Sequence, residues 1–170
     1  VSFKLLDQSD SRLFIHQGGL KSNNTNEAPN HRSRFESVQQ SYSIDDGDSL
    51  VVDLNWRSEE GLHVTKRYTF ERGSYLIGLE YLLDNKTTTA WHGRAYEQLQ
   101  RTKPSSKRSL VYTFTGAALS LPDKHYEKFD YDDLEDAPLN VESKEGWVGI
   151  LEHYFVSALL PPAQSSSHFY

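Results

Sequence analysis

The chain has 170 residues and carries 24 acidic against 18 basic residues, a formal net charge of −6. This balance argues against nucleic acid as its main partner, because nucleic-acid binding needs a dominant basic surface. The absence of cysteine excludes disulfides, thiolate metal sites and cysteine nucleophiles. Aromatic residues make up 12% of the chain, which is typical of a folded domain rather than a disordered segment.

The length and the first residue bear on how the chain relates to a longer protein. A chain of 170 residues is long enough for one domain with a sizeable core. Because it begins with Val1 and contains no methionine, we expect a processed product or a piece of a longer protein. No signal peptide or transmembrane segment is expected within it. A secreted parent could have had either removed, so a cytosolic location does not follow.

The first half of the chain predicts strands separated by polar turns. Alternation from Leu62 to Phe70 predicts a half-buried strand with one apolar face. The strand after it has apolar residues on both faces, so we expect it to be covered on both sides. Gly18 and Gly19 are expected to end an earlier strand, and residues 21–36 to form a loop. The strands predicted in this half span residues 1–6, 12–16, 50–56, 62–70 and 74–83.

The second half predicts further strands and one short helix. Residues 87–100 and 109–114 are predicted strands, and short strands in regular succession favour an antiparallel sandwich or barrel. A helix is predicted over residues 122–129, because Pro122 suits a first helical turn and Asp123 favours the helix dipole. Residues 130–138 are predicted to form an acidic loop.

The longest apolar stretch runs from Gly146 to Pro161. It is too short and too polar to cross a membrane, since a span needs about 20 apolar residues and Glu152 lies at its centre. Its residues fit both helical and alternating spacing. The all-β context favours a buried strand with a bend or bulge near Glu152-His153. We expect three of its aromatic residues to be core anchors rather than a site: Trp147, Tyr154 and Phe155.

The sequence contains no recognised motif for a catalytic or metal centre. The seven histidines form no HxxxH or HExxH pair, and there is neither a phosphate-binding loop nor a nucleophile elbow. Glu152 and His153 are neighbours on a predicted strand and would point to opposite faces, so they would not act in one site. We therefore expect no catalytic, cofactor-binding or metal-binding residues.

One predicted strand carries residues suited to a sugar-binding cleft. Aromatic faces stack on pyranose rings, while carboxylates and guanidinium groups bond to sugar hydroxyls. Ordinary cross-strand packing explains the same residues without a ligand. The candidate cleft residues are Trp91, His92, Arg94 and Glu97.

Three motifs follow one another in the second half: Phe114-Thr115-Gly116-Ala117-Ala118, then Pro122-Asp123 with Tyr126-Glu127-Lys128-Phe129, then the run from Gly146 to Pro161. Looser matches upstream are Phe3-x-Leu5-Leu6 and Lys66-x-Tyr68-x-Phe70-x-x-Gly73-x-Tyr75. In order, spacing and spelling, these motifs resemble the large periplasmic domain (P1) of the membrane protein insertase YidC, in the YidC/Oxa/Alb family. The resemblance covers essentially the whole chain and is strongest in the second half.

The resemblance implies an all-β fold: an antiparallel β-sandwich of the β-supersandwich, galactose mutarotase-like kind, with one or two short surface helices. Residues 1–170 would be a single periplasmic domain fragment that lacks terminal strands and the membrane region of its parent. The parent would be a multi-pass protein of the Gram-negative inner membrane, with this domain on the periplasmic face. The domain would be a scaffold that helps insertion and folding of inner-membrane proteins, not an enzyme, and would bind no cofactor.

SecDF and the Sec translocon are the partners that the resemblance implies, while inner-membrane protein substrates would meet the absent membrane region. We expect the contact surface within residues 91–141. There a stretch of net charge +5 (six basic against one acidic residue, 86–108) precedes one of −6 (nine acidic against three basic, 123–145). Such asymmetry suits a salt-sensitive contact. The predicted partner-binding residues are Asp123, Lys124, Tyr126, Glu127, Lys128, Asp130, Asp132 and Asp133.

Two further expectations complete the sequence-based picture. The chain is expected to be a monomer, although unpaired edge strands would allow a weak dimer. The alternative function is that of a carbohydrate-binding or mutarotase-like sandwich protein, which rests on the candidate cleft residues and on the fold similarity. Fold alone does not carry function, so the parent's flanking segments would discriminate between the two.

Overall fold

A computed structural model describes residues 6–9, 12–23, 28–103, 114–152, 155–163 and 165–170. Strand accounts for 54% and helix for 4% of it, which confirms the predicted all-β antiparallel class. The elements, in chain order, are β1 (Asp7–Ser9), β2 (Arg12–Ser22), β3 (Glu36–Ser37), β4 (Ser49–Arg57), β5 (Leu62–Glu71), β6 (Ile77–Asn85), β7 (Gly93–Arg101), β8 (Thr115–Ser120), β9 (Glu127–Phe129), α1 (Tyr131–Asp136), β10 (Val141–Ser143), β11 (Trp147–Glu152), β12 (Phe155–Leu159) and β13 (Ser167–Phe169).

The chain divides into two compact units. The middle unit is Gly18–Tyr96, and the terminal unit is Val1–Gln17 with Glu97–Tyr170. The middle unit holds the sheet β3-β4-β5-β6, while the terminal unit holds the sheet β12-β11-β8-β9 and the strand pair β10-β13. The strands β2 and β7 are neighbours in the sheet β1-β2-β7, and the residues of both are divided between the two units.

The apolar face of the middle unit's sheet carries its core, as the alternation along β5 predicts. Leu62 and Val64 are each 1% exposed, and they pack against Leu20 of β2. Strand β5 is the centre of this face, because it pairs antiparallel with both β4 and β6. The partly buried side chains that surround this cluster are Ala28, Trp56, Tyr81 and Trp91.

The opposite face of the same sheet is polar and is organised by an ion pair between neighbouring strands. Arg67 of β5 donates two hydrogen bonds of 2.7 Å, from Nε and Nη2, to the two carboxylate oxygens of Asp53 on β4. The register places these residues directly opposite each other. The Arg67 hydrogen bonds hold the pKa of the Asp53 carboxyl below its usual range.

Lys66 is a buried cation on the apolar face and is 6% exposed. Its Nζ donates to the main-chain oxygen of Gly18 at 3.3 Å and lies 5.5 Å from the ring centroids of both Tyr68 and Tyr81. Aromatic faces and a carbonyl therefore replace part of the water that the ammonium loses on burial. The Lys66-x-Tyr68 spacing in the upstream motif thus corresponds to a structural contact.

The prediction that Gly18 and Gly19 end a strand is wrong, because β2 continues through both residues to Ser22. A close approach of two backbones explains the glycine. A Cβ at position 19 would lie 2.7 Å from the Cα of Asn30, closer than real side chains tolerate. The glycine therefore permits packing within the strand rather than marking its end.

The expectation that the strand after β5 is covered on both sides is also wrong. Leu76, just before β6, is 65% exposed, and Leu82 is 42% exposed. On the other face Ile77 and Leu83 are 40% and 39% exposed. Among the described strands, β6 is the last in its sheet, so it has a hydrogen-bonded neighbour on one side only.

The core of the terminal unit lies against the central strand pair β8–β11. Leu119 of β8 is 1% exposed and packs with Leu121 and Phe169. The register places Leu119 opposite Val148, which packs against the same cluster. Other partly buried members are Phe129, Leu139 and Val141.

The apolar run from Gly146 to Pro161 forms two strands, not one strand with a bend or bulge. Strands β11 and β12 pair antiparallel, from Val148 opposite Leu159 to Glu152 opposite Phe155. This pairing changes the expected burial of the aromatic residues. Trp147 is partly buried, as expected of an anchor, but Phe155 is 63% exposed on the outer strand of the pair. His153 and Tyr154 lie outside the described residues.

The predicted helix over residues 122–129 is wrong. A turn follows β8 there, and β9 then pairs with β8, with Phe129 opposite Ala117. The helix α1 instead begins at Tyr131, within the segment predicted to be an acidic loop. Sheet pairing therefore outweighs the helix-start signal of Pro122 and Asp123.

Candidate interaction surface

The predicted partner-binding residues begin in a tight turn of the terminal unit. Leu121 and Lys124 exchange main-chain hydrogen bonds of 2.9 and 3.2 Å, which close the turn. The Lys124 ammonium then reaches Glu127 of β9 at 3.1 Å. Both side chains of this pair are largely in water, so it contributes little to stability. Its effect is to neutralise two of the charges expected to meet a partner.

The residues around the start of β9 present an aromatic and cationic patch. The Tyr126 ring is 50% exposed and lies 6.2 Å from the ring of Trp147. The Lys128 ammonium lies 5.3 Å from the Tyr126 ring centroid and 5.2 Å from that of Phe114. A half-exposed tyrosine with one supported face can give a partner a large contact area at a low cost in conformational entropy.

Two of the predicted aspartates stabilise the start of α1. Asp130 Oδ1 accepts hydrogen bonds of 2.9 Å from the main-chain N–H groups of Asp132 and Asp133. In return, Asp133 Oδ2 accepts a 3.1 Å bond from the N–H of Asp130. This reciprocal capping box satisfies N–H groups that have no partner within the helix, which lets a helix of only six residues persist.

Lys103 holds the exposed side of α1. Its Nζ forms an ion pair with Asp132 and lies 3.9 Å from a carboxylate oxygen of Glu135. The hydrogen bond to Asp132 raises the pKa of Lys103 above its ordinary value of 10.5, and burial opposes this effect. Sequence reasoning did not single out Lys103, because it precedes Asp132 by 29 residues. The available signal was only that a basic stretch precedes an acidic one.

Replacing Asp132 with asparagine is expected to bring the Lys103 pKa back toward its ordinary value. Glu135→Gln is the matched control and should lower that pKa less, because Glu135 acts at longer range. A raised lysine pKa stabilises the fold fully below the unfolded value and loses this effect as pH rises above it. Above about pH 10.5 the α1 amides of the unsubstituted chain should therefore lose protection, measured as the exchange rate relative to the base-catalysed rate of an unfolded peptide at the same pH. Equal effects of the two substitutions in an NMR titration would contradict this assignment.

Tyr131, the first residue of α1, is partly buried near an arginine–glutamate pair. Arg101, whose side chain is 8% exposed, donates a 2.6 Å hydrogen bond to Glu152, and Arg12 approaches the same oxygen at 3.2 Å. Burial raises the pKa of the Tyr131 phenol, with Arg101 and Glu152 among the charges that act on it. Glu152 thus serves as the acceptor for two guanidinium groups, and sequence reasoning missed both partners.

The carboxylates of this surface differ in whether they already have a partner within the domain. Within the described ranges, Asp123 and Asp136 are exposed and form no ion pair, whereas Asp130, Asp132 and Asp133 serve the helix itself. The half-exposed Tyr126 belongs to the same segment of the terminal unit. We call Asp123, Tyr126 and Asp136, with α1, the acidic surface.

The candidate cleft residues have separate structural environments. Trp91 packs against the Leu20 cluster, and the main-chain oxygen of His92 accepts a 2.9 Å hydrogen bond from the N–H of Asn23. Glu97 belongs to the terminal unit and lies 2.7 Å from His16 Nε2. Arg94 and Glu97 are three residues apart on β7, so they point to opposite faces of that strand.

Neither a metal centre nor a membrane-spanning helix is found in the described part of the chain. No group of three or more histidine, aspartate or glutamate side chains is placed there to hold a metal ion. Within the same ranges, no helix reaches the length and hydropathy that a membrane span requires. The acidic surface is therefore the best-defined candidate among the predicted residues.

A family model and individual relatives of this chain point to the same protein family. The model of the YidC periplasmic domain matches residues 1–170. Membrane protein insertase YidC of Methylococcus capsulatus is 40% identical over 170 residues, covering 98% of this chain and 31% of that protein. The insertase of Saccharophagus degradans is 35% identical over 170 residues, with coverage of 98% and 30%. That of Nitrosococcus oceani is 37% identical over 167 residues, with coverage of 98% and 31%.

The matches cover nearly all of this chain but only part of each relative. The chain spans about three tenths of the length of the curated relatives it matches. The family model, in contrast, extends over every residue of the chain. The resemblance seen in the sequence motifs is therefore confirmed, and the chain belongs to the YidC periplasmic domain family.

Proposed function

We propose that this chain is a non-catalytic interaction domain of a membrane protein insertase, and that it lies on the periplasmic face of the Gram-negative inner membrane. It would form part of a single periplasmic domain whose parent also carries the membrane region. There it would help insertion and folding of inner-membrane proteins, alone or with the Sec translocon. The observation that carries the proposal is the family match over residues 1–170.

The acidic surface supports a scaffold role. Its helix is stabilised by the capping box at Asp130, by the ion pair to Lys103 and by the partial burial of Tyr131. A surface fixed before binding loses less conformational entropy when a partner docks. The surface presents Tyr126 as an aromatic anchor and unpaired carboxylates at Asp123 and Asp136. This combination fits a modest, salt-sensitive protein contact.

Two carboxylates that could do acid–base chemistry, Glu97 and Glu152, are engaged in structural pairs, which supports a role without catalysis. Glu152 accepts hydrogen bonds from Arg12 and Arg101, and Glu97 pairs with His16. A general base must be free to approach a substrate proton. Glu97 instead joins the neighbouring strands β7 and β2, and Glu152 joins β11 to both of these strands.

SecDF is the proposed partner of the acidic surface. Charge reversal at the unpaired carboxylates, Asp123→Lys with Asp136→Lys, should reduce co-purification of SecDF with the full-length insertase. The loss should be largest at low salt, since exposed charges are screened as ionic strength rises. These positions are suitable because they do not take part in the cap or in the Lys103 ion pair.

The control makes the same change of charge on the other unit. Glu59→Lys with Glu60→Lys alters two exposed carboxylates in the turn before β5 and should leave co-purification intact. If the acidic-surface variant retains SecDF as well as this control does, the acidic surface is not the contact. Insertion of a model inner-membrane protein, measured in parallel, would show whether the insertase itself remains active.

A further inference from the structure

The middle unit contains an open pocket that none of the predicted roles uses. Its volume is about 550 Å³, and its polar lining includes Lys21, Asn30, His31, Arg32 and Tyr96. No carboxylate is present among the described residues that line it. Because the described lining carries cationic groups and no carboxylate, it favours an anion over a metal ion.

The backbone on one side of the pocket is fixed by a turn. Asn30 Oδ1 accepts a 2.8 Å hydrogen bond from the N–H of Arg32, and Ser33 Oγ accepts one of 3.0 Å from the N–H of Asn30. The turn is anchored where the oxygen of the buried Pro29 accepts a 2.9 Å bond from Leu20. The main-chain positions of His31 and Arg32 are therefore set by the turn before any ligand binds.

The contact between His31 and Tyr96 bears on which ring nitrogen of His31 carries a proton. The Tyr96 oxygen accepts the main-chain N–H of His31 at 3.1 Å and lies 2.8 Å from His31 Nδ1. In neutral His31 the phenol proton can be donated to Nδ1, which leaves the imidazole proton on Nε2. In protonated His31 both ring nitrogens carry protons. In the tautomer in which Tyr96 donates to Nδ1, Nε2 is therefore a hydrogen-bond donor.

Two cations from the paired strands β2 and β7 add to the field of the pocket. The Lys21 ammonium lies 5.1 Å from the Tyr96 ring centroid. The hydrogen bond from Asn23 to His92 sets an antiparallel register that places Arg94 opposite Lys21. Among the described residues, Lys21, Arg32 and Arg94 form no ion pair with a carboxylate. Their mutual repulsion would be relieved by an anion.

We propose that this pocket binds a phosphate-type oxyanion, held by Arg32, Lys21 and the Nε2–H of His31, with Arg94 adding to the positive potential. A guanidinium group matches two oxygens of such an anion, and the ammonium acts as a second positive charge. The covered face of Tyr96 leaves little room for a sugar ring to stack. Because the cations are exposed, binding is weak and falls as salt rises.

The first test is an NMR titration of the chain with inorganic phosphate at low ionic strength, with chloride at matched ionic strength as the reference. Phosphate should shift the signals of Lys21, His31, Arg32 and Tyr96 selectively. Arg32→Ala should weaken binding about fivefold, whereas Arg34→Ala, an exposed arginine outside the pocket lining, should leave it within about twofold. Retained spectral dispersion would show that each variant is folded.

The second test distinguishes a free anion from a lipid headgroup. Co-sedimentation of the unsubstituted chain with phosphatidylglycerol vesicles is compared with its co-sedimentation with phosphatidylcholine vesicles. The Arg32→Ala and Arg34→Ala variants are measured in the same way. Sedimentation with phosphatidylglycerol that depends on Arg32 identifies a headgroup site, and shifts with phosphate alone identify a free-anion site. Absence of both, or equal effects of Arg32→Ala and Arg34→Ala, would overturn the proposal.

Discussion

Gly146→Ala is expected to lower the free energy of unfolding by about 3 kcal/mol, because the substitution adds backbone strain to a steric overlap. Gly146 has a φ of 128°, a conformation that residues with a Cβ rarely adopt. A Cβ there would also lie 2.3 Å from the main-chain oxygen of Ser120. Ser120 is paired with Trp147 at the end of the central strand pair, so neither backbone can move without breaking the ladder.

Substitutions at Gly73 and Gly47 separate the backbone strain from the steric overlap. Gly73 has a φ of 77°, and a Cβ added there would meet no other atom within 4 Å. Gly73→Ala should therefore cost only the strain, about 1 kcal/mol. Gly47 has neither a positive φ nor a contact closer than 3.7 Å, so Gly47→Ala should be nearly neutral. Urea unfolding followed by tryptophan fluorescence measures all three, and a cost for Gly146→Ala no greater than that for Gly73→Ala would refute the overlap.

The strands that could be predicted best are those with an unambiguous period. Along β5, alternation from Leu62 to Phe70 assigns each residue to the correct face, because burial of one face leaves only one register. The period of the apolar run after Gly146 is ambiguous, and the sequence between Gly149 and Pro161 contains no Gly, Pro, Asn or Asp to predict two strands. The pairing of β11 with both β8 and β12 decides the outcome, and that information is not local.

The helix could have been placed better from local sequence. Asp130 and Asp133 have the spacing of a capping box, and both side chains make the expected bonds. Pro122 and Asp123 offered a competing start signal, but the residues after them are drawn into the sheet by β8. The capping box at Asp130 was therefore a local signal for the helix. The signal at Pro122 and Asp123 was overridden by the pairing of β9 with β8.

The ion pairs of the acidic surface could not be predicted in the same way. Lys103 meets Asp132, and Arg101 meets Glu152, across separations of 29 and 51 residues. Charge counting identified the basic and the acidic stretch. It did not show that Lys103 of the basic stretch pairs with Asp132 of the acidic stretch. For that reason, three of the predicted contact aspartates turn out to stabilise α1, while Asp136 was not among the predicted residues.

Leu119→Ala is expected to lower the free energy of unfolding by about 3 kcal/mol, because it opens a cavity in a core that cannot collapse freely. Leu119 is 1% exposed and packs against Leu121 and Phe169, so the backbones of β8 and β13 limit relaxation around it. Leu160→Ala removes the same atoms from a side chain that is 60% exposed and should cost about 0.5 kcal/mol or less. Similar costs in denaturant unfolding would mean that Leu119 is not a core residue.

Leu119→Ala should also destabilise the acidic surface, because the core cluster around Leu119 contacts β9, which leads into α1. Leu119 lies opposite Glu127 in the β8–β9 pair, and Phe129, which packs on the same cluster, immediately precedes the N-cap of α1. Loosening of this cluster should speed amide exchange in β9 and α1 more than in β5, whose core belongs to the other unit. Unchanged exchange in α1 would instead indicate that the helix is held by its cap and by Lys103 alone, independently of the core beneath β9.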